Sequence, residues 1–385
     1  MDPIYPDPIY LDHMASTPLD PAVLDEMLPW MSPGGAGNPH SAGHRAGWHA
    51  AEAIERARGE VAALIGARPG EILFTSGATE ANCLALLGGV PEGWPVAASA
   101  VEHPGVLACV AELARRGHTV RLLPVDGAGR VDPGALEGRG PALVSVMAAN
   151  NEVGTIQPVG HLARRCREAG GLFHTDAVQR LATGKIDVAA LGIDLLSLSG
   201  HKLYGPMGIG ALFVRQGVAL RPLLFGGGQQ GGRRPGTLPT ALCVGLGAAC
   251  RIARERREAD ALRLAGLRER LFAALAAGLP GLRRNGPAGD GGLPGCLHVT
   301  IPGADAADRL LDLPGLALST GSACASGEGG PSHVLLAMGR SAEEAFGSIR
   351  IGVGRFTTED EVDRAAALLV EAFGGVPGGT QPRGS

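Results

Sequence analysis

The sequence lacks an excess of basic residues, a long apolar run and a basic amino-terminal leader. Its formal net charge is −4, so it carries no large positive field, and nucleic-acid binding as the main activity is disfavoured. The absence of a run of about 18 apolar residues disfavours a membrane-spanning helix. The start, MDPIYPDPIYLDHMAS, has acids and prolines where a signal peptide has basic and apolar regions. We therefore expect a cytoplasmic protein that binds neither nucleic acid nor membranes directly.

Paired cysteines are also missing. The seven cysteines are odd in number and scattered, and none forms a C-x-x-C motif, which argues against a disulfide framework or a zinc site and favours a reducing compartment. Most lie in apolar segments typical of buried thiols: Cys109, Cys166, Cys243, Cys250 and Cys296. Cys324 differs, because its surroundings, STGSACASGEGG, offer almost nothing to pack against. We expect no metal site, and the question is why this thiol stands on a loop.

Short apolar runs alternate with helical patterns between about residues 45 and 255. This alternation predicts a mostly parallel sheet with helices on both faces, and in such sheets polar residues just past the strand ends meet in one crevice. The strand candidates are EILFTS, PVAASAVEH, TVRLLPV, ALVSVMAAN, LFHTDAV, DLLSLSG and GIGALFV.

The pattern changes after the long helical segment that starts at TALCVGLGAAC. A Gly/Pro-rich connection leads to short strands and helices, which indicates a smaller α+β domain. A length of 385 residues fits about two domains. We predict a large domain over residues 15–255 and a small domain formed by residues 1–14 and 256–375. Residues 376–385 are expected to be a disordered tail.

Reactive groups follow four of the strand candidates. Lysine occurs only as Lys185 and Lys202, and Lys202 comes directly after an apolar strand, where an ammonium is costly to bury. Asp176 ends a strand that we expect to lie beside that of Lys202, His103 ends another, and SGAT at a helix start offers free N–H groups for a phosphate. Taken singly, the commoner interpretations are a solvated lysine and a structural histidine. Together they are the parts that bind pyridoxal 5′-phosphate as a Schiff base.

With these residues the chain resembles a known family, the cysteine desulfurases of the NifS/IscS type, within the class-V aminotransferases. The resemblance implies a fold-type I pyridoxal-phosphate-dependent transferase, aspartate aminotransferase-like, in the α/β class. It covers nearly the whole chain in order and rests on YLDHMASTPLDP, GNPHSAGHRAG, FTSGATEAN, VEH, NNEVGTIQP, HTDAVQ, SLSGHKLYGPMGIGAL, GGGQQGGRRPGT, STGSACAS and SIRIGVGRFTTEDEVD.

The resemblance implies a role for each motif. Lys202 would hold the cofactor covalently and transfer protons, Asp176 would pair with the pyridine nitrogen, and His103 would stack on the ring. Further cofactor contacts are implied for Gln179 at the ring oxygen and, at the phosphate, for Ala78, Thr79, Ser199, His201 and Thr237. Thr237 would reach across the interface of a homodimer. Asn151 would contact cofactor and substrate, and Arg355 would hold the carboxylate of L-cysteine with a two-point fork.

Cys324 also acquires a role through the resemblance. L-Cysteine would become L-alanine while its sulfur passes to Cys324 as a persulfide, for delivery to a protein acceptor of unknown identity. A Gly/Ser-rich loop would let the thiol move between the two partners, and we expect it to be poorly ordered. The alternatives are an inert Cys324 in a selenocysteine lyase or other class-V β-eliminase, and a non-catalytic sulfur-transfer scaffold. The sequence leaves the destination of the sulfur open between iron–sulfur clusters, tRNA, thiocofactors and DNA phosphorothioation.

Overall fold

The computed structural model describes residues 8–137, 142–320 and 330–374. Cys324 and the expected tail at 376–385 lie outside these residues. The described helices are α1 (Pro21–Met31), α2 (Arg45–Ile65), α3 (Ala78–Cys83), α4 (Pro104–Arg115), α5 (Val159–Glu168), α6 (Val188–Leu191), α7 (Thr240–Gly278), α8 (Ala306–Leu311), α9 (His333–Ala337), α10 (Ala342–Phe346) and α11 (Glu359–Phe373).

The described strands form three separate sheets. They are β1 (Ile9–Tyr10), β2 (Ile72–Thr75), β3 (Val96–Ser99), β4 (Val120–Leu123), β5 (Leu143–Ser145), β6 (Leu172–Asp176), β7 (Leu195–Ser199), β8 (Gly210–Val214), β9 (Arg283–Arg284), β10 (Cys296–Thr300), β11 (Leu316–Ala317) and β12 (Ser348–Gly352).

The main sheet has seven strands in the order β2-β8-β7-β6-β5-β3-β4. Strands β3 to β7 pair with one another in parallel, whereas β8 is antiparallel to both β7 and β2. The residues of β2, β3, β5, β7 and β8 are all buried, because helices cover both faces of the sheet. All seven strand candidates of the sequence are found in this sheet. The predicted α/β class and the mostly parallel sheet are confirmed.

A second hydrophobic core lies outside the main sheet. It contains residues of the antiparallel strands β10 and β12, whose sheet has β9 at its edge, of the parallel pair of β1 with β11, and of the apolar face of α11. Ile9 and Leu11 pack in this core with residues from the carboxyl-terminal third of the chain. The assignment of residues 1–14 to the small domain stays a prediction, and of that range the described structure places Ile9 and Leu11 in this core. Within the described residues, no helix is both long and apolar enough to cross a membrane.

Helix α7 contributes to both cores. Its first part buries Leu246 and Cys250 in the core beside the main sheet, and its later part buries Leu267 and Leu271 in the second core. The predicted domain boundary near residue 256 therefore lies inside a continuous helix of 39 residues. The division at that residue stays an interpretation of the sequence.

Candidate active site

A cavity of about 550 Å³ opens beside the carboxyl ends of the parallel strands. Parallel strands all present these ends at one edge of a sheet, so polar residues that follow them converge there. Among the residues that line the cavity are nine of the predicted site residues: Ala78, Thr79, His103, Asn151, Asp176, Gln179, Ser199, His201 and Lys202.

Lys202 ends a short helical turn that directly follows β7. Its Nζ donates a hydrogen bond to the carbonyl oxygen of Met14, which also accepts one from the Gln179 amide at 2.8 Å. The amino-terminal segment thus forms one wall of the cavity, a feature that the motifs near the lysine did not predict. An apolar strand leading into a tight turn places the amine at the cavity edge, where it stays half-buried.

Tyr204, two residues further on, has φ of 60°, a left-handed conformation that side-chain-bearing residues rarely adopt. Three hydrogen bonds hold it there. Its N–H donates to Thr17 Oγ1 at 2.9 Å, its carbonyl accepts from the Asp20 N–H at 2.9 Å, and its hydroxyl accepts from the Arg355 N–H at 2.6 Å. The turn that carries Lys202 is therefore fixed by two distant parts of the chain.

Asp176 ends β6 and is 7% exposed. Its Oδ2 accepts a hydrogen bond from the Asn82 amide at 2.7 Å and its Oδ1 accepts one from the Val178 N–H at 3.0 Å. Both bonds orient the carboxylate at the cavity, where a protonated ring nitrogen would supply a compensating charge. The sequence reasoning missed Asn82, although its place in the motif FTSGATEAN, beside Ala78 and Thr79, is the signal that could have found it.

His103 caps the amino terminus of α4, and its Nδ1 accepts a hydrogen bond from the Gly105 N–H at 3.0 Å. An acceptor role at Nδ1 leaves the proton of the neutral ring on Nε2. Burial lowers the pKa of His103, partly opposed by Asp176, so the ring is held in its neutral form. The preceding Glu102 is fully buried, which raises the pKa of its carboxyl well above the usual range. Because Glu102 contributes no accessible side chain to the cavity, His103 provides the reactive group of this turn.

The turn between β2 and α3, together with the first residues of α3, forms a cradle that fits a phosphate. Gly77 has φ of 155°, and a Cβ at this residue would lie 3.9 Å from Ser199 Oγ, so a side chain would occupy the space between them. The first N–H groups of α3, at Ala78 and Thr79, have no acceptor within the helix and are available to an anion. Burial, followed by the charge of Lys202, lowers the pKa of His201 to about 4, which leaves a neutral imidazole beside the cradle.

One acidic residue, Glu80, also lines the cavity close to this cradle. Its carboxylate forms a two-point ion pair with the Arg234 guanidinium, at 2.7 and 3.0 Å, and accepts a hydrogen bond from the Ser76 N–H at 2.6 Å. Arg234 belongs to the motif RRPGT, whose role was expected to lie at a dimer interface. The pair offsets the negative charge of Glu80, so the cradle does not repel a phosphate.

Of the three remaining predicted residues, Thr237 and Arg355 are described, and neither lines the cavity. Thr237 is exposed and does not line it, and Cys324 lies outside the described residues. Arg355 is buried, with Nη1 2.7 Å from Asp20 and Nε 2.9 Å from Asp260, and its guanidinium stands 4.2 Å from the centre of the Tyr204 ring. Arg355 does not line the cavity, and its Nη1 and Nε face two carboxylates of the protein, so this position does not match the expected two-point fork to a substrate carboxylate.

A different arginine lies beside the cavity. Arg350, on β12, is 1% exposed and donates to the carbonyl oxygen of the cavity residue Asn151 at 3.1 Å. It also donates to Asp12 at 2.9 Å and to Ser319 Oγ at 2.8 Å. Ser319 is five residues before Cys324, so Arg350 links the cavity wall to the start of the sequence STGSACASGEGG, which contains Cys324. The sequence reasoning missed this residue, which lies five positions before Arg355 in the same motif.

Comparison with known proteins agrees with this geometry. The family described as aminotransferase class-V matches residues 9–365. A mitosomal cysteine desulfurase from Trachipleistophora hominis is 44% identical over 381 residues, covering 95% of this chain and 86% of that protein. A solved structure described as a NifS-like protein superposes with a TM-score of 0.88 at 35% identity, covering 94% of this chain and 98% of that chain.

A further solved structure, described as SspA in complex with cysteine, has a TM-score of 0.80 at 38% identity and covers 91% of this chain and 99% of that chain. The resemblance noted in the sequence is thus confirmed along nearly its whole length. This chain belongs to the class-V aminotransferase family and, within it, to the pyridoxal-phosphate-dependent cysteine desulfurases.

Proposed function

We propose that this protein converts L-cysteine to L-alanine and transfers the sulfur to Cys324 as a persulfide. The observation that carries the proposal is the convergence of Lys202, Asp176 and His103 on one cavity in a chain of the cysteine desulfurase family. The reaction balances without an added oxidant or reductant. The carbon–sulfur bond of the substrate breaks, a sulfur–sulfur bond forms on Cys324, and the thiol hydrogens are retained in the persulfide and the alanine methyl group.

The cavity residues fit the family's cofactor. When bound, pyridoxal phosphate supplies an electron-accepting ring that stabilises negative charge next to the substrate's amino group. Lys202 Nζ would hold the cofactor and move the proton of the substrate's α-carbon. Asp176 would keep a proton on the ring nitrogen, while the neutral His103 ring would lie against the cofactor. Ala78, Thr79, Ser199 and His201 would bind the phosphate.

We assign the substrate's carboxylate to Arg350 and Asn151, and assign Arg355 to a structural role. Arg350 contacts the cavity wall through Asn151, whereas Arg355 is held between Asp20 and Asp260. Replacing Arg350 by lysine keeps the charge but loses the planar fork. The Arg350→Lys variant should raise KM for L-cysteine by about 10- to 100-fold while the affinity for pyridoxal phosphate stays unchanged.

Cys324 would receive the sulfur. The residues on either side of its segment are anchored next to the cavity: Ser319 by Arg350, and Ser332, whose hydroxyl donates to the buried Glu152 at 2.5 Å. We further propose a homodimer, to which Thr237 contributes a phosphate contact in the partner's site, a protein sulfur acceptor, and a cytoplasmic location.

The test uses the full-length protein reconstituted with pyridoxal phosphate. Lysine occurs only at positions 185 and 202, so Lys185→Ala is a matched control for Lys202→Ala. Reduction with borohydride should attach the cofactor covalently in the control and not in Lys202→Ala. A protein that stays colourless after reconstitution would contradict the proposal and favour a non-catalytic scaffold.

Cys324→Ser separates a desulfurase from a β-eliminase. This variant should bind the cofactor normally but should no longer form a protein persulfide from L-cysteine, whereas Cys166→Ser, at a buried position away from the cavity, should form it as the parent does. Sulfur transfer that survives undiminished in Cys324→Ser, with a normal cofactor spectrum, would refute the assigned role and favour a selenocysteine lyase or related β-eliminase.

A further inference from the structure

Two cysteines with no part in the proposed reaction lie close together. Cys83 ends α3 and is half-buried, Cys109 is inside α4 and is 4% exposed, and their Sγ atoms are 3.2 Å apart. A disulfide bond has a length of about 2.05 Å, so a shift of about an ångström between the helices would allow it to form. The two thiols are 26 positions apart in the sequence and are brought together only by the packing of α3 against α4.

Both helices begin at the cavity. Ala78 and Thr79 open α3, and His103 caps α4. A Cβ at Gly105 would lie 4.0 Å from the Thr79 side chain, so the two helix starts are neighbours. Asn82, next to Cys83 in the chain, donates the hydrogen bond that orients Asp176. A covalent link between the two cysteines would therefore act on helices that carry several residues of the proposed cofactor site.

We propose that Cys83 and Cys109 form a reversible disulfide that couples the thiol–disulfide balance around the protein to its affinity for pyridoxal phosphate. Formation of the bond depends only on the two cysteines, whereas the coupling rests on the proposed cofactor site. The oxidant is a low-molecular-weight disulfide.

The chemistry of the pair assigns an order to the two steps. The hydrogen bond with Cys109 lowers the pKa of the Cys83 thiol to about 7, whereas that of Cys109 is raised, first by the same bond and then by burial. The Cys83 thiolate attacks one sulfur of the oxidant and releases the first small thiol. Cys109 then attacks Cys83 Sγ and releases the second. Two protein thiols are oxidised, and one small disulfide is reduced to two small thiols.

The first experiment counts thiols in the full-length protein with Cys324 replaced by serine, which removes the reactive thiol of the proposed reaction. After incubation with oxidised glutathione, alkylation and intact mass measurement should show the loss of two thiols without a glutathione adduct. Peptide mapping should identify the bond between Cys83 and Cys109. With Cys109→Ser added, Cys83 should keep one glutathione, and with Cys83→Ser added, the protein should take up none.

Retention of all thiols by the Cys324→Ser protein, or equal oxidation after Cys83→Ser, would overturn the proposed disulfide. Cys109→Ala serves as a second variant at the buried position, and circular dichroism confirms that each variant is folded. Reduction with dithiothreitol should restore both thiols.

The second experiment measures the Kd of the apoprotein for pyridoxal phosphate by absorbance titration, before and after oxidation. The Kd of the Cys324→Ser protein should change by about fivefold or more between the two states, and that of the protein with Cys83→Ser added should not change. Equal Kd values in the two states would overturn the coupling. Failure to bind pyridoxal phosphate in either state would instead overturn the proposed function, while the thiol count would still decide the disulfide.

Discussion

Replacing Arg355 by alanine should destabilise the protein without weakening the binding of L-cysteine. The guanidinium is 4% exposed and pairs with Asp20 and Asp260, whose side chains are 13% and 8% exposed. Removing one member of a buried ion pair leaves an uncompensated charge, which costs about 3–5 kcal/mol. The contact over the Tyr204 ring would be lost as well. The free energy of unfolding should therefore fall by an amount within or above this range.

The effect can be measured as a shift in Tm. An unfolding entropy of about 2.1 cal/mol/K per residue, applied to 385 residues, converts about 3–5 kcal/mol into a fall in Tm of about 4–6 °C. The matched control is Arg256→Ala, because Arg256 lies on α7 with Asp260, is 56% exposed and stands 3.6 Å from the other oxygen of Asp260. An exposed pair contributes at most about 1 kcal/mol, so the control should lose about 1 °C or less.

Steady-state kinetics on the same Arg355→Ala protein provide the decisive comparison. If Arg355 instead held the substrate's carboxylate, KM for L-cysteine would rise by about tenfold or more. A Tm equal to that of the Arg256→Ala control, together with such a rise in KM, would refute the structural role and restore the interpretation made from the sequence.

Three further outcomes are expected. Gly210→Ala would place a Cβ 2.8 Å from the backbone of Gly77 and should weaken pyridoxal phosphate binding by about 1–3 kcal/mol. The control Gly266→Ala has open space at its Cβ, so its Tm should be unchanged or higher. Burial lowers the pKa of His174 to about 3, so protonation of this residue in the unfolded state destabilises the protein as pH falls below about 6.5. Between pH 7 and pH 5, the free energy of unfolding of His174→Gln should therefore fall by about 2 kcal/mol less than that of the parent, measured by urea unfolding. Tyr204→Phe removes the hydroxyl that accepts a hydrogen bond from the buried Arg355 N–H, so the free energy of unfolding should fall by about 1–3 kcal/mol in urea. Borohydride should still attach the cofactor covalently in this variant, which checks that Lys202 is unaffected.

Much of the fold could be read from local pattern. Most strands of the main sheet are short apolar runs that are buried on both faces, so the residues of each run are enough to predict it as a strand. The rule that polar groups meet at the carboxyl ends of parallel strands predicts that His103, Asp176 and Lys202 lie together, and all three line one cavity. Identical reasoning could not reveal Met14 as a wall of that cavity, because its contact with Lys202 joins residues far apart in the chain.

The two arginines of SIRIGVGRF show where such reasoning fails. Arg350 and Arg355 lie in one motif, and both are guanidinium groups that can bind a carboxylate. Their surroundings differ because of partners from distant parts of the chain: Asp12 and Asn151 contact Arg350, whereas Asp20 and Asp260 contact Arg355. No local pattern carries that information.

The sequence by itself determined the class of chemistry, because a lysine after an apolar strand, an aspartate and a histidine at strand ends, and a glycine turn at a helix start are local features. Only the tertiary structure decided which charges are already neutralised, as for Arg355 and Glu80, and which thiols meet, as for Cys83 and Cys109. The physical reason is that electrostatic pairing and sulfur contact act over a few ångströms in space. Packing, and not separation along the chain, sets those distances.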